Sequence, residues 1–117
     1  MLTLELPFPP SVNHYYRHLG HCTLISKRGR QYRQAVMAVL SALKLQPLAG
    51  PLSVVIELYP PDHRRRDIDN AQKGLLDSIA HGGAYRDDSQ IVHLETWKCS
   101  PVRGGKAIVR IKELGCQ

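Results

Sequence analysis

At 117 residues the chain is long enough for one domain, 1–117, with a single hydrophobic core and no need of disulfides or a structural metal. Its apolar content of 43% excludes an intrinsically disordered chain, and no run approaches the roughly 18 consecutive apolar residues of a membrane span. Sixteen Lys+Arg against ten Asp+Glu give a formal charge of +6 and a pI near 9.5, which points to a polyanionic partner, nucleic acid first. The first seven residues, MLTLELP, lack a basic segment followed by an apolar one, so no secretory leader is expected and the expected location is the cytoplasm.

Leu2, Leu4 and Leu6 alternate with Thr3 and Glu5, which predicts a half-buried strand ending at Pro7. Residues 7–20 hold three prolines within four positions and are expected to form a long loop, a length usually tied to function or poor order. Ser26 is placed to cap a helix running to about residue 45, with Tyr32, Ala35, Val36, Val39, Leu40 and Leu43 as one apolar stripe. Pro47 and the Gly50-Pro51 pair close it.

Leu52, Val54, Ile56 and Leu58 then predict a second strand, closed by Pro60 and Pro61. A second helix is expected over 70–81, with Ala71, Leu75, Leu76 and Ile79 inward and Gly82-Gly83 ending it. Residues 91–97 and 107–113 alternate as third and fourth strands, read as a hairpin around Gly104-Gly105. The order β-α-β-α-β-β implies an α/β (α+β) domain: a mixed four-stranded sheet covered by two main helices.

Cys22, Cys99 and Cys116 are an odd, scattered set, expected to be free thiols in a reducing compartment. His18, His21 and Cys22 lie close together but match no usual zinc spacing.

The densest chemical signal is RRRDIDNAQK, residues 64–73. Asp67 and Asp69 are two apart, so on a regular helix they would differ by about 200° and face apart. They converge only if Asp67 lies in the entry to the helix, where free N–H groups also favour negative charge. Two carboxylates held together repel unless a cation sits between them, and Mg²⁺, which takes a few carboxylates plus water and phosphate oxygens, suits the place. Asp87-Asp88, after the glycine turn, supplies further acids.

Each acid also has a plain structural reading, Asp67 as a helix cap and Asp87 or Asp88 as turn residues. Lys73 lies four residues after Asp69 and four before Asp77. That spacing fits an exposed ion-pair ladder as well as a phosphate-facing cation, and Asn70 fits either an Asx contact or a metal-bound water.

The stretch Asp67-Ile-Asp69-Asn70-Ala-Gln-Lys73 with Asp77, followed by Tyr85-Arg-Asp87-Asp88-Ser-Gln90-Ile91, resembles the signature of the RusA family of Holliday junction resolvases. The opening residues 7–17 (PFPPSVNHYYR) and Gln31-Tyr32-Arg33 are similar to the family's first loop and first helix. The resemblance covers nearly the whole chain and departs from the family at residues 81–84, HGGA.

It implies a homodimeric endodeoxyribonuclease of DNA recombination and repair that nicks two strands of like polarity in a four-way junction. It further implies Mg²⁺, with Mn²⁺ as substitute, held by Asp67, Asp69 and Asp88; Lys73 as the basic residue needed for catalysis; and Asp87 as an accessory acid. Arg17, Lys27, Arg28, Arg30, Arg33, Arg64, Arg65, Arg66 and Lys73 are the expected DNA contacts, about half of the arginines doing no more than solvating a surface. Tyr15 and Tyr16, with Phe8, are candidates to stack on bases at an opened junction centre, against the alternative that their loop packs on the body. The rival function is a non-catalytic dimer that binds branched DNA. It is disfavoured because carboxylates facing a phosphate repel it by about 1 kcal/mol or more per close pair.

Overall fold

The computed structural model describes residues 1–115, so the predicted thiol of Cys116 lies outside the described residues. The sheet is organised around β4 (Leu52–Tyr59), whose Leu52, Val54, Ile56 and Leu58 are all buried. To one side lies β6 (Lys106–Glu113), antiparallel, and beyond it β1 (Leu2–Leu6), also antiparallel; to the other lies β5 (Ile91–Lys98), parallel to β4. The order is β1-β6-β4-β5, a mixed four-stranded sheet as expected.

Two helices form the second layer. α2 (Lys27–Leu43) is capped by Ser26, whose Oγ accepts from the Gly29 amide at 3.0 Å, and it buries Tyr32, Val36 and Leu40. Leu43, at the end of the predicted stripe, is 47% exposed in the last turn of the helix. α3 (Ile68–His81) buries Ala71, Leu75, Leu76 and Ile79, the four positions predicted inward. Its outer side is fixed to β5 by the Thr96 hydroxyl donating to Gln72 Oε1 at 2.8 Å.

Two expectations need correction. Strands β5 and β6 do not pair with each other; they flank β4. The β4–α3–β5 crossover places β5 parallel to β4, and the following loop then passes over the end of β4, the Val102 amide donating to the Pro60 carbonyl at 2.9 Å. Residues 7–20 are also not a single loop. They hold a short helix α1 (Val12–Tyr15) and the strand β2 (Tyr16–Leu19), which pairs with β3 (Cys22–Ile25) in a separate antiparallel ribbon turning at Gly20-His21. The ribbon's side chains are mostly exposed, so it carries no apolar alternation to read. Cys22 and Cys99 are free thiols.

Candidate active site

Of the predicted acids and their lysine, Asp67, Asp69 and Lys73 lie along one helix, α3, while Asp87 and Asp88 sit in the turn that precedes β5. Asp67 occupies the N-cap of α3 in extended backbone, φ −91° and ψ 140°, with no side-chain hydrogen bond to the helix amides. The plain capping role is therefore not taken up, and the exposed carboxylate stays available at a helix end that favours negative charge. Asp69 is exposed in the first turn. One turn on, Lys73 Nζ lies 5.4 Å above the Tyr16 ring and 3.8 Å from Asp77 Oδ2.

Asp77 is the residue that sequence reading undervalued as an ion-pair partner. Its part-buried carboxyl faces that of Asp88 and accepts a hydrogen bond from the Tyr16 hydroxyl. Burial, then the hydrogen bond and charge of Asp88, push it up to about 6. Asp88 Oδ1 lies 2.8 Å from the Tyr85 hydroxyl, which is also 3.1 Å from the Leu76 carbonyl, so its one proton serves either acceptor. Burial and the neighbouring Asp88 charge raise the Tyr85 hydroxyl far above its ordinary range.

Asp88 is presented to α3 by its neighbours. Asp87 spends its carboxylate on the Ser89 amide at 2.9 Å, and Gln90 returns the contact by accepting from the Asp87 amide at 3.0 Å. Gln90 Nε2 also donates to the Leu48 and Gly50 carbonyls, at 3.2 and 3.0 Å, anchoring the turn to the segment after α2. Asp87 thus acts here as a cap, although it lines the same recess as Asp77, Asp88 and Arg33.

The three acids taken together as metal ligands do not form one cage: among the described residues no three His, Cys, Asp or Glu meet closely enough to hold an ion. Asp88 is tied to Asp77, which lies two helical turns, about 12 Å along the axis, from Asp69. The donor chemistry nonetheless suits a hard divalent ion, since the paired groups are carboxylates whose mutual repulsion a cation would relieve.

The basic residues divide. Arg28, Arg64, Arg65 and Arg66 line one cavity of about 850 Å³ together with Asp67 and Asn70. Arg66 is held inside the protein's own network, 2.7 Å from Asp62 and 5.6 Å over the Phe8 ring. Asp62 is drawn down to about 2 by that hydrogen bond and by the Arg64 amide. Arg64, its Nε 3.8 Å from the same Asp62 but its side chain 83% exposed, and the exposed Arg65 face solvent. Arg17, Lys27 and Arg30 are exposed but outside this cavity, and Arg30 Nη1 donates to the Ile25 carbonyl at 2.9 Å.

Tyr15 corrects the stacking expectation. It is 0% exposed, its hydroxyl 3.1 Å from Ser78 Oγ and 2.8 Å from the donating Arg33 Nε. Space for its ring exists because residue 74 is glycine, where a Cβ would lie 2.7 Å from Tyr15 Cδ2. Phe8 is half-buried against the core, and Tyr16 is engaged with Asp77 and Lys73.

A family model described as Endodeoxyribonuclease RusA matches residues 7–112, which include all of these elements from α1 to α3 and most of β6. The chain belongs to the RusA endodeoxyribonuclease family. Among its relatives, the crossover junction endodeoxyribonuclease RusA of Shigella sonnei (strain Ss046) is 40% identical over 114 residues, covering 97% of this chain and 95% of that one. The protein of the same name from Escherichia coli (strain K12) is 39% identical over 114 residues, with the same coverage. That of Enterobacteria phage 82 is 40% identical over 113 residues, covering 96% and 94%. The RusA assignment makes the chain an endodeoxyribonuclease, an enzyme class that matches acids set beside a cationic cavity.

Proposed function

We propose that this RusA-family protein resolves four-way DNA junctions by paired symmetric nicks, in DNA recombination and repair, as a homodimer with a divalent metal. The observation that carries the reading is the sorting of charge along α3: Asp67 opens into an arginine-lined cavity, and Lys73 leads from there to the Asp77–Asp88 pair. A protein that only bound branched DNA would gain nothing from carboxylates in the path of the phosphates, each close pair costing about 1 kcal/mol or more. The names of the RusA relatives, crossover junction endodeoxyribonucleases, support the substrate class.

Asp67 and Asp69 at the entry of α3, and Asp88 beside Asp77 two turns on, would supply the carboxylates for Mg²⁺ or Mn²⁺, standing in this structure as two separate groups rather than one cage. When bound, the ion would supply charge to the scissile phosphate and acidify a water. The chain's own residues do the rest. Arg64 and Arg65 take phosphates and set the register of a DNA arm. Lys73 holds negative charge on a non-bridging or leaving oxygen, the Tyr16 ring beneath it limiting where its ammonium can go. A two-fold dimer presents two such sites to the two equivalent strands of a junction. The site of action is the DNA of the cytoplasm.

The test is cleavage of an end-labelled four-way junction beside a linear duplex, in Mg²⁺ and in EDTA. Symmetric nicks in the junction alone, lost in EDTA, are expected. Asp69→Asn should abolish nicking while leaving junction binding intact or tighter. Tight binding with no nicks under Mg²⁺ or Mn²⁺ would leave a DNA-binding module whose acids are structural.

A further inference from the structure

The cavity beside Asp67 has more in it than phosphate binding requires. Its 850 Å³ lies within the range of small-ligand sites and well above what one phosphate fills. Its lining combines three chemistries: cations in Arg28, Arg64 and Arg65; side chains that both donate and accept in Gln31 and His14; and stiff apolar walls in Phe8 and Pro61. Cations alone would serve the backbone of a duplex arm. Flat apolar walls with amide and imidazole groups are what a nucleobase uses, its face on the walls and its edge on the hydrogen-bonding groups.

The walls are also held in place before any ligand arrives. Gly105, at φ +68°, lets the loop before β6 press against both: a Cβ there would lie 3.0 Å from Phe8 Cβ and 3.0 Å from Pro61 Cδ. Arg66 covers the Phe8 ring and is itself fixed by Asp62, while Lys98 Nζ donates to the Arg66 carbonyl at 3.0 Å. The Tyr32 hydroxyl donates to the Pro7 carbonyl at 2.7 Å, pinning the start of the proline segment to α2. Fixed walls beside exposed arginines are the arrangement for admitting a flat group and placing charge at its phosphate.

We propose that this cavity takes one nucleotide unstacked from the crossover, next to the phosphate cleaved at the acids, and that Gln31 reads its base edge while Arg64 and Arg65 hold its phosphate. The inference rests on the junction reading above and adds to it the determinant of where along a strand the nick falls. A stacked base cannot enter a concave site, and unstacking is least costly where pairing is already interrupted, as at a junction centre. Gln31 sits on the exposed side of α2, so its replacement leaves the core untouched.

The experiment places 2-aminopurine at successive positions around the centre of a four-way junction and, separately, at the middle of a five-nucleotide single strand. Both are bound in EDTA, so that nothing is cut. The expected result is a several-fold rise in fluorescence at one junction position, lost in Gln31→Ala and Arg65→Ala and kept in Gln34→Ala, an exposed residue outside the cavity. In Mg²⁺, Gln31→Ala should flatten the base preference at that position by about tenfold. Junction binding with no such rise, or a rise that Gln31→Ala and Arg65→Ala leave unchanged, overturns the pocket while the resolvase reading stands. A rise in the single strand that Arg65→Ala abolishes, with junction bound no better than duplex, keeps the pocket and overturns the junction reading. No rise in either substrate overturns it.

Discussion

Replacing Asp77 by asparagine should stabilise the metal-free protein at neutral pH and should do so only there. Asp77 is held in a part-buried place against Asp88, and its carboxyl is pushed from its ordinary 3.8 to about 6, by burial first and by Asp88 second. Between those two values the folded protein keeps a proton that the unfolded chain has lost. The contribution of Asp77 to wild-type stability therefore falls as pH rises from about 4 to about 6 and is level above. Fully transmitted, the difference is about 3 kcal/mol. The carboxyl is open enough to water that screening reduces the expected gain to about 1 kcal/mol, or roughly 4 °C in a domain of this size. Asparagine can still accept the Tyr16 hydroxyl through its oxygen and can donate to Asp88 through its amide. The lost ion pair with Lys73, 3.8 Å long and with Lys73 62% exposed, is worth little. Thermal unfolding in EDTA from pH 4 to pH 8 measures this. Every other titratable group is common to both proteins, so its contribution cancels in the difference. A gap that does not change with pH, or an Asp77→Asn protein less stable at pH 8, would refute the reasoning.

Lys73→Ala should lower junction cleavage about a hundredfold while weakening junction binding only a few-fold; equal losses in single-turnover rate and gel-shift affinity would demote Lys73 to a phosphate anchor. Arg64→Ala and Arg65→Ala should each reduce the slope of log affinity against log salt by about 1, whereas Arg66→Ala, whose guanidinium is committed to Asp62 and Phe8, should lower the unfolding temperature more than the slope. Gly29→Ala should destabilise by about 1–2 kcal/mol in urea titration, although alanine favours a helix by about 1 kcal/mol, because its Cβ would lie 2.3 Å from the Tyr15 carbonyl oxygen.

What was legible in the sequence follows from where burial imposes a period. β1, β4, β6 and the inward stripe of α3 each bury one face against the same core, and their apolar spacing could be read directly. The hairpin ribbon was not legible because both its faces meet solvent, so Arg17, His18, Thr23 and Leu24 carry no alternation. The pairing of β5 is hidden in the sequence for a different reason. Adjacent strands with Gly104-Gly105 between them look like a hairpin, yet the seven residues from Cys99 to Gly105 exceed the two to five usual for one, and that length is the clue to a loop that crosses β4. In the site, Asp67 at the helix entry followed from spacing and electrostatics. The Asp77–Asp88 contact did not, since it depends on how far the Asp87–Gln90 turn brings the chain back over α3, a tertiary fact that no local pattern contains.

The placement of these acids bears on why they are there. Asp67 and Asp69 stand where the free N–H groups of α3 favour negative charge, so their presence alone says little about chemistry. Asp77 and Asp88 have no such support. They meet each other in a part-buried recess, with a buried tyrosine hydroxyl as partner to one and an exposed lysine 3.8 Å from the other. An arrangement chosen for stability would have put an amide at one of the two positions, as the asparagine variant does. A pair of carboxylates that repel each other, set on a helix whose beginning opens into an arginine-lined cavity, instead fits the nuclease reading proposed above, with cations to seat the backbone and acids to take part in phosphodiester cleavage.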